Sequence, residues 1–357
     1  MPALLTPEIK STTKTKFSYT RCPGVPTISA VAAPLGYLVD EFANDADLDV
    51  THKQIGFTGK TEWAHEDRFW IRNAGHAPAI WGRAKGVDSK VVALAWLEGT
   101  YPVVALAASG IQTVAELKGK RLGLVRAKDS LFDLQHAGQL NTYTTTLSTA
   151  GLSLDDVKLI EIDRPKYDPN LVRTKDTKLQ ASRAANFDLA ERLNRGEFDA
   201  IAVQSAADIG EFTSVRVLYD VRNHPDQGSR VHPGVLRGVV VSGPLLRERR
   251  DLVVRALARL LQAGEWAKAH PEELVTRLAE NYDIYPEVLT GKYENLSEGV
   301  QIDLAPEKIA ALKYQKDFLL KHHLIENDFD VEPWVDHGPL AEARVLYADW
   351  KKSGKIN

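Results

Sequence analysis

The chain has 357 residues, 44% of them hydrophobic and 26% charged, which suits a globular protein of two or three lobes that each bury a core. Forty-five basic against 48 acidic residues give a formal charge of -3, so the charge balance points to neither nucleic acid nor an anionic membrane as partner. No run of about 18 apolar residues is present to span a bilayer, and Met1 to Lys16 holds no apolar h-region or small-residue cleavage site, so the expectation is a cytoplasmic protein with a loose N-terminal tail.

Strands and helices alternate from the start. Phe17 to Arg21 reads as a strand, and Thr27 to Phe42 as a helix with Ile28, Val31, Ala32, Leu35, Leu38, Val39 and Phe42 near one face. A strand over Leu48 to Ile55, a helix from Pro78 to Lys85 ended by Gly86, and apolar runs Lys90 to Leu97 and Tyr101 to Ala107 follow. Such alternation predicts right-handed parallel crossovers and an α/β sheet with helices on both faces.

A second unit opens at Thr113-Val-Ala-Glu116, which has the form of a capping box, and continues into the short strand ending at Val125. A helix over Ser130 to Ala150 and a strand Val157 to Ile162 come next. Asp163 to Arg183 carries six Lys/Arg and two prolines and reads as a surface excursion. Asn186 to Arg195 reads as a helix, Phe198 to Val203 and Val215 to Tyr219 as strands. Val235 to Val241 is strand-like, and the rest is helical: Pro244 to Ala269, Pro271 to Tyr282, Ala305 to His322 and Leu340 to Lys352. One crossing near Ala107 and a return near Val235 predict a discontinuous first lobe, 1–107 with 236–357, and a second lobe, 108–235.

Cys22 is the only cysteine, so it cannot be half of an intramolecular disulfide. It sits in Phe17-Ser-Tyr-Thr-Arg-Cys-Pro-Gly-Val-Pro26, where a strand meets a turn. Two readings stand: a small buried hydrophobe, or a thiol poised near a helix N-terminus whose free N–H groups favour thiolate. Trp63, Trp70, Trp81 and Trp96 place four of seven tryptophans in one stretch; Trp63 and Trp70 can form an aromatic wall for a planar ligand or simply pack. Asp336-His337 and His322-His323 lack a second ligand pair at metal spacing, so no metal is expected. Phosphate loops and dinucleotide fingerprints are absent, and no cofactor is expected.

The order of elements resembles the two-lobed periplasmic-binding-protein type II fold, in the sulfonate-binding and thiamine-precursor-type branch. The cues are Thr113-Val-Ala-Glu-Leu-Lys-Gly-Lys-Arg-Leu-Gly-Leu124, Gly196-Glu-Phe-Asp-Ala-Ile201 and Tyr347-Ala-Asp-Trp-Lys-Lys-Ser-Gly-Lys-Ile356. That resemblance implies a ligand cleft between the lobes and a monomer. Phe17-Ser-Tyr-Thr-Arg-Cys-Pro23 and Ile71-Arg-Asn-Ala-Gly-His-Ala-Pro-Ala-Ile80 resemble, more narrowly, the family of 2'-hydroxybiphenyl-2-sulfinate desulfinases. This second resemblance implies a cofactor-free hydrolase of sulfur metabolism that cleaves a C–S bond of a small aromatic sulfinate. It puts the reacting thiol on Cys22, and the grip on the sulfinate oxygens on Arg72 and the N–H of Gly75.

The chemistry is consistent with those residue types. A guanidinium is always charged and can hold two oxygens at once, and helix N-termini near Thr27 and Pro78 would add N–H donors. Either a thiolate attacks sulfur or the thiol protonates the ring carbon, and both routes need a proton carrier. The family's histidine position, about ten residues before the arginine, holds Glu62. His65 titrates near neutrality unaided and ranks above Glu62, which would need its pKa raised by burial. His76, beside Gly75, is a further candidate donor to the anion. The alternative function is a solute-binding protein for sulfonate-like or aromatic anions.

Overall fold

The computed structural model of the protein describes residues 14–22, 25–54, 68–128, 130, 132–163 and 174–356. Among the described residues, ten strands form two five-stranded sheets. The strands are β1 (Thr15–Arg21), β2 (Leu48–Gln54), β3 (Phe69–Gly75), β4 (Ser89–Trp96), β5 (Pro102–Leu106), β6 (Arg121–Arg126), β7 (Lys158–Asp163), β8 (Ala200–Ala202), β9 (Val215–Asp220) and β10 (Leu236–Ser242). The first sheet runs β2-β1-β3-β10-β4 and the second β7-β6-β8-β5-β9. In each, the fourth strand is antiparallel to both its neighbours: β10 between β3 and β4, β5 between β8 and β9.

Those two antiparallel strands are the ones the chain lays down just after crossing between sheets. β5 enters the second sheet directly after β4 leaves the first, and β10 enters the first after β9 leaves the second. The α/β class expected from the alternation is therefore present, but each sheet is mixed rather than wholly parallel. β5 falls inside the span 1–107 expected for the first lobe, yet it pairs in the second sheet. Its apolar run fits a buried strand in either sheet, so composition alone could not assign it.

Helix boundaries shift for local reasons. The helix expected over Thr27 to Phe42 is two short ones, Ile28–Ala32 and Tyr37–Phe42. Pro34 and Gly36 lie between them, and Gly36 takes φ 76°, a left-handed conformation that few L side chains adopt. Pro244 to Ala269 likewise divides, into Gly243–Glu248 and Arg250–Ala269. In the opposite sense, the region read as an excursion holds the first nine residues of a helix, Lys175–Asn194, started by a Thr174/Thr177 capping box. Only Ala190 and Leu193 of that helix are buried, so it carries almost no apolar stripe for a sequence reading to find. The capping box expected at Thr113 is present, with Glu116 returning to the Thr113 N–H at 2.8 Å, but it starts a single 3₁₀ turn, Val114–Leu117.

One apolar cluster fills the outer face of the first sheet, where Phe17, Ile71 and Val239 meet Ile28, Leu257 and Trp350. Another is continuous between the sheets, from Trp70, Ile80 and Leu94 through Leu312 and Phe318 to Leu122, Leu140 and Tyr143. A third covers the far face of the second sheet around Ile162, Phe198 and Ile201. Among the described residues, no helix is long and apolar enough to cross a membrane.

Candidate functional site

In an open α/β sheet, ligands bind where the parallel strands end at their carboxyl side. Here the carboxyl ends of β1 and β3 lie side by side, and β10 begins next to them. Cys22 follows the last residue of β1, and its N–H donates to the carbonyl of Asn73 on β3 at 3.1 Å. The thiol residue is half-buried and free. The expected helix after it does start at Thr27, whose hydroxyl accepts from the N–H of Ala30, but that helix has only five residues and lends little dipole to the thiol.

Arg72 lies on β3 in register with Thr20 of β1 and Val240 of β10. Only 2% of it is exposed, and its Nη1 donates to the carbonyl of Gly75 at 3.1 Å. That bond curls the guanidinium back toward the strand end. Gly75 caps the helix His76–Ala84, which begins two residues before the expected Pro78; Pro78 sits at the third helical position, where its missing N–H costs nothing. Cys22, Arg72 and Gly75 are thus assembled at one end of the sheet.

His76 occupies a different role from the anion donor expected of it. It is fully buried; its Nδ1 donates to the carbonyl of Leu236 at 3.0 Å, and its Nε2 faces the Gln315 amide at 3.4 Å. Burial lowers its pKa to about 4, and Arg237 and Arg72 add to that effect by repelling the protonated ring. The Gln315 Nε2 in turn donates to Asn141 Oδ1 at 3.0 Å. His76 therefore joins β10 to two helices of the interior, and both ring nitrogens are occupied.

Trp70 is buried in the cluster between the sheets, and its backbone N–H donates to the Ser242 hydroxyl at 3.3 Å, so it packs rather than walling a ligand. Glu62, Trp63 and His65 lie outside the described residues.

Sequence reasoning missed Arg237. It stands directly opposite Gly75 in the β10–β3 ladder and is only 1% exposed. Its Nε donates to the carbonyl of Pro26 at 3.0 Å and its Nη1 to the carbonyl of Gly234, while its guanidinium lies 5.9 Å from the Tyr293 ring centroid. No carboxylate among the described residues pairs with it. The signal was available: one arginine in the otherwise uncharged run Val235-Leu-Arg-Gly-Val-Val-Val-Ser242. His232, against the Tyr101 ring at 5.0 Å, accepts from the Gly234 N–H at 3.1 Å. Burial, then the Arg237 charge, lowers its pKa to about 3. Two buried guanidiniums and two histidines held neutral make this strand end electropositive, with a half-buried thiol at its edge.

No family model matches the chain. The chain is 23% identical over 363 aligned residues to 2'-hydroxybiphenyl-2-sulfinate desulfinase of Rhodococcus erythropolis, covering 92% of this chain and 93% of that protein. Among solved structures it is similar to the desulfurization enzyme DszB, with TM-score 0.70, 20% identity and coverage of 94% of this chain and 100% of that one. A mutant of DszB has been solved in complex with biphenyl-2-sulfinic acid; it matches with TM-score 0.68 and 19% identity over 93% of this chain and 99% of that one. The periplasmic aliphatic sulphonate binding protein SsuA from Escherichia coli is also similar, with TM-score 0.61 and 15% identity over 90% of this chain and 92% of that one. The desulfinase resemblance read from the sequence is thus present in both comparisons and the sulfonate-binding one among the solved structures, and the fold is the α/β periplasmic-binding-protein type II fold that DszB and SsuA share.

Proposed function

We propose that the chain is a cofactor-independent, desulfinase-like hydrolase that cleaves the C–S bond of a small aromatic or heteroaromatic sulfinate, with Cys22 as the reacting group. The observation that carries this reading is the meeting of Cys22 with the buried Arg72–Gly75 turn at one strand end, in a chain alignable with a desulfinase over 92% of its length. The reaction balances as aryl sulfinate plus water to arene plus bisulfite. The C–S electron pair stays on the ring carbon, which takes a proton, and sulfur takes hydroxide.

Two routes satisfy that balance. Thiolate attack on sulfur gives a cysteine-bound SO₂ that water releases; alternatively, the thiol protonates the ring carbon, and SO₂ is captured by water as the thiol is reprotonated. Arg72 and the Gly75 N–H hold the sulfinate oxygens in both, and His65, or Glu62 with its pKa raised, moves the proton. The enzyme reading implies a monomer working in the cytoplasm.

A second reading, a binding protein for sulfonate-like anions, is favoured by the similarity to SsuA and by Glu62 standing at the family's histidine position. Sulfite release from 2-phenylbenzenesulfinate by wild type and by Cys22→Ser separates the two. Turnover lost in the variant supports the enzyme. Tight binding without turnover, unchanged in Cys22→Ser, establishes the binder.

A further inference from the structure

Arg237 has one nitrogen that its structural bonds do not use. Nε holds the Pro26 carbonyl and Nη1 the carbonyls of Gly234 and Leu236, whereas Nη2 is buried and makes no hydrogen bond of normal geometry among the described residues. A buried guanidinium nitrogen without an acceptor keeps its full desolvation penalty, so such a group calls for a partner. The Tyr293 phenol lies against the guanidinium and shares a weak hydrogen bond with it, but burial raises its pKa and keeps it neutral, so it cannot balance the charge. Pro26 lies on the segment that carries Cys22, and Gly75 is the residue directly opposite Arg237 on β3.

We propose that Arg237 is the second cation of this anion site: its Nη2 binds an oxygen of the bound sulfur oxyanion, while its Nε fixes the Cys22 segment through Pro26. The proposal rests on the sulfinate reading for the identity of the organic ligand, but its anion-binding part requires only an SO₂- or SO₃-type group. Arg72 and Arg237 then grip the anion from two adjacent strands, and ligand binding and thiol placement share one side chain.

Titration calorimetry with inorganic sulfite and with 2-phenylbenzenesulfinate, on wild type, Arg237→Lys and Arg237→Gln, tests it. The expected result is that wild type binds sulfite, that Arg237→Gln binds about thirtyfold more weakly with a shallower salt dependence, and that Arg237→Lys recovers part of both. A purely structural arginine would lower the melting temperature but leave the salt dependence unchanged. A folded Arg237→Gln variant that keeps sulfite affinity within about twofold overturns the proposal, as does a wild type that binds neither anion. Sulfite binding without arylsulfinate binding sinks the sulfinate reading alone and leaves Arg237 to be judged on sulfite. If the Gln variant does not fold, nitrogen NMR of the wild-type arginine side chains decides. Sulfite must then shift the Nε signal that disappears in Arg237→Lys, and an unmoved signal overturns the assignment.

Discussion

The phenol of Tyr282 donates to the carbonyl of Val25 at 2.7 Å, so a helix end 257 residues away holds the segment that carries Cys22. On the other side of the same residue, the Tyr282 carbonyl accepts from Lys178 Nζ at 2.8 Å, on a helix that follows a strand of the second sheet. The Cys22 segment is therefore tied to both sheets' helices. Tyr282→Phe should cost about 1 kcal/mol of unfolding free energy and speed iodoacetamide labelling of Cys22 several-fold, because the segment loses one of its anchors. Denaturant titration and timed alkylation measure the two; an unchanged alkylation rate would show that Arg237 and the Asn73 carbonyl suffice.

Acid should destabilise the fold through His76. Its pKa is about 4 when folded and near 6.5 when unfolded, so the unfolded chain binds the extra proton between those values and stability rises with pH across that window. The contribution is fully present above pH 6.5 and is lost as pH falls toward 4, for a total of about 3 kcal/mol. His232, lowered to about 3, acts in the same direction over a slightly wider range. Denaturant unfolding of wild type and His76→Gln at several pH values checks this. The variant should lose up to about 1.4 kcal/mol per pH unit of slope between 4 and 6.5, and parallel curves would disprove the assignment.

Glu41 should matter more to stability than any surface carboxylate. Its side chain is 3% exposed and accepts from Arg255 Nε at 2.7 Å and Arg259 Nε at 2.9 Å, with Arg255 also bonded to Asp45 at 2.8 Å. Glu41→Ala leaves two partly buried guanidiniums short of a counter-charge, at a cost of about 3 kcal/mol. A loss under about 1 kcal/mol in denaturant titration would place this network with exposed ion pairs.

What the sequence revealed follows the range of each signal. Strand β4 and the helix Pro306–Lys321 were legible because their apolar runs are long and their ends are punctuated, and Thr113 to Glu116 because a capping box is local. Arg72 and Gly75 were legible only as part of a motif. Arg237 was not, because its meaning depends on a ladder that sets it opposite Gly75 across the whole second lobe. His76 was misread because nothing local reports that Leu236 and Gln315 occupy its two nitrogens. For Trp70 the sequence left packing and a ligand wall both open, because nothing local reports burial in a strand that is paired on both sides.

Gly75 offers the sharpest separation of fold from function. Its φ is -52°, within the range of any residue, and a Cβ added there meets only the Pro233 carbonyl at 3.5 Å, an ordinary contact. Backbone conformation therefore does not require glycine, and Gly75→Ala should fold with a loss of no more than about 1 kcal/mol, the usual difference at a helix cap. At a site where the Gly75 N–H meets a sulfinate oxygen, the same methyl group crowds the ligand and should raise KM about tenfold while the melting temperature barely moves. Kinetics and thermal melts on the one variant decide. A KM that stays with the wild type, in a protein equally stable, would remove Gly75 from the ligand site and leave it as a helix cap alone.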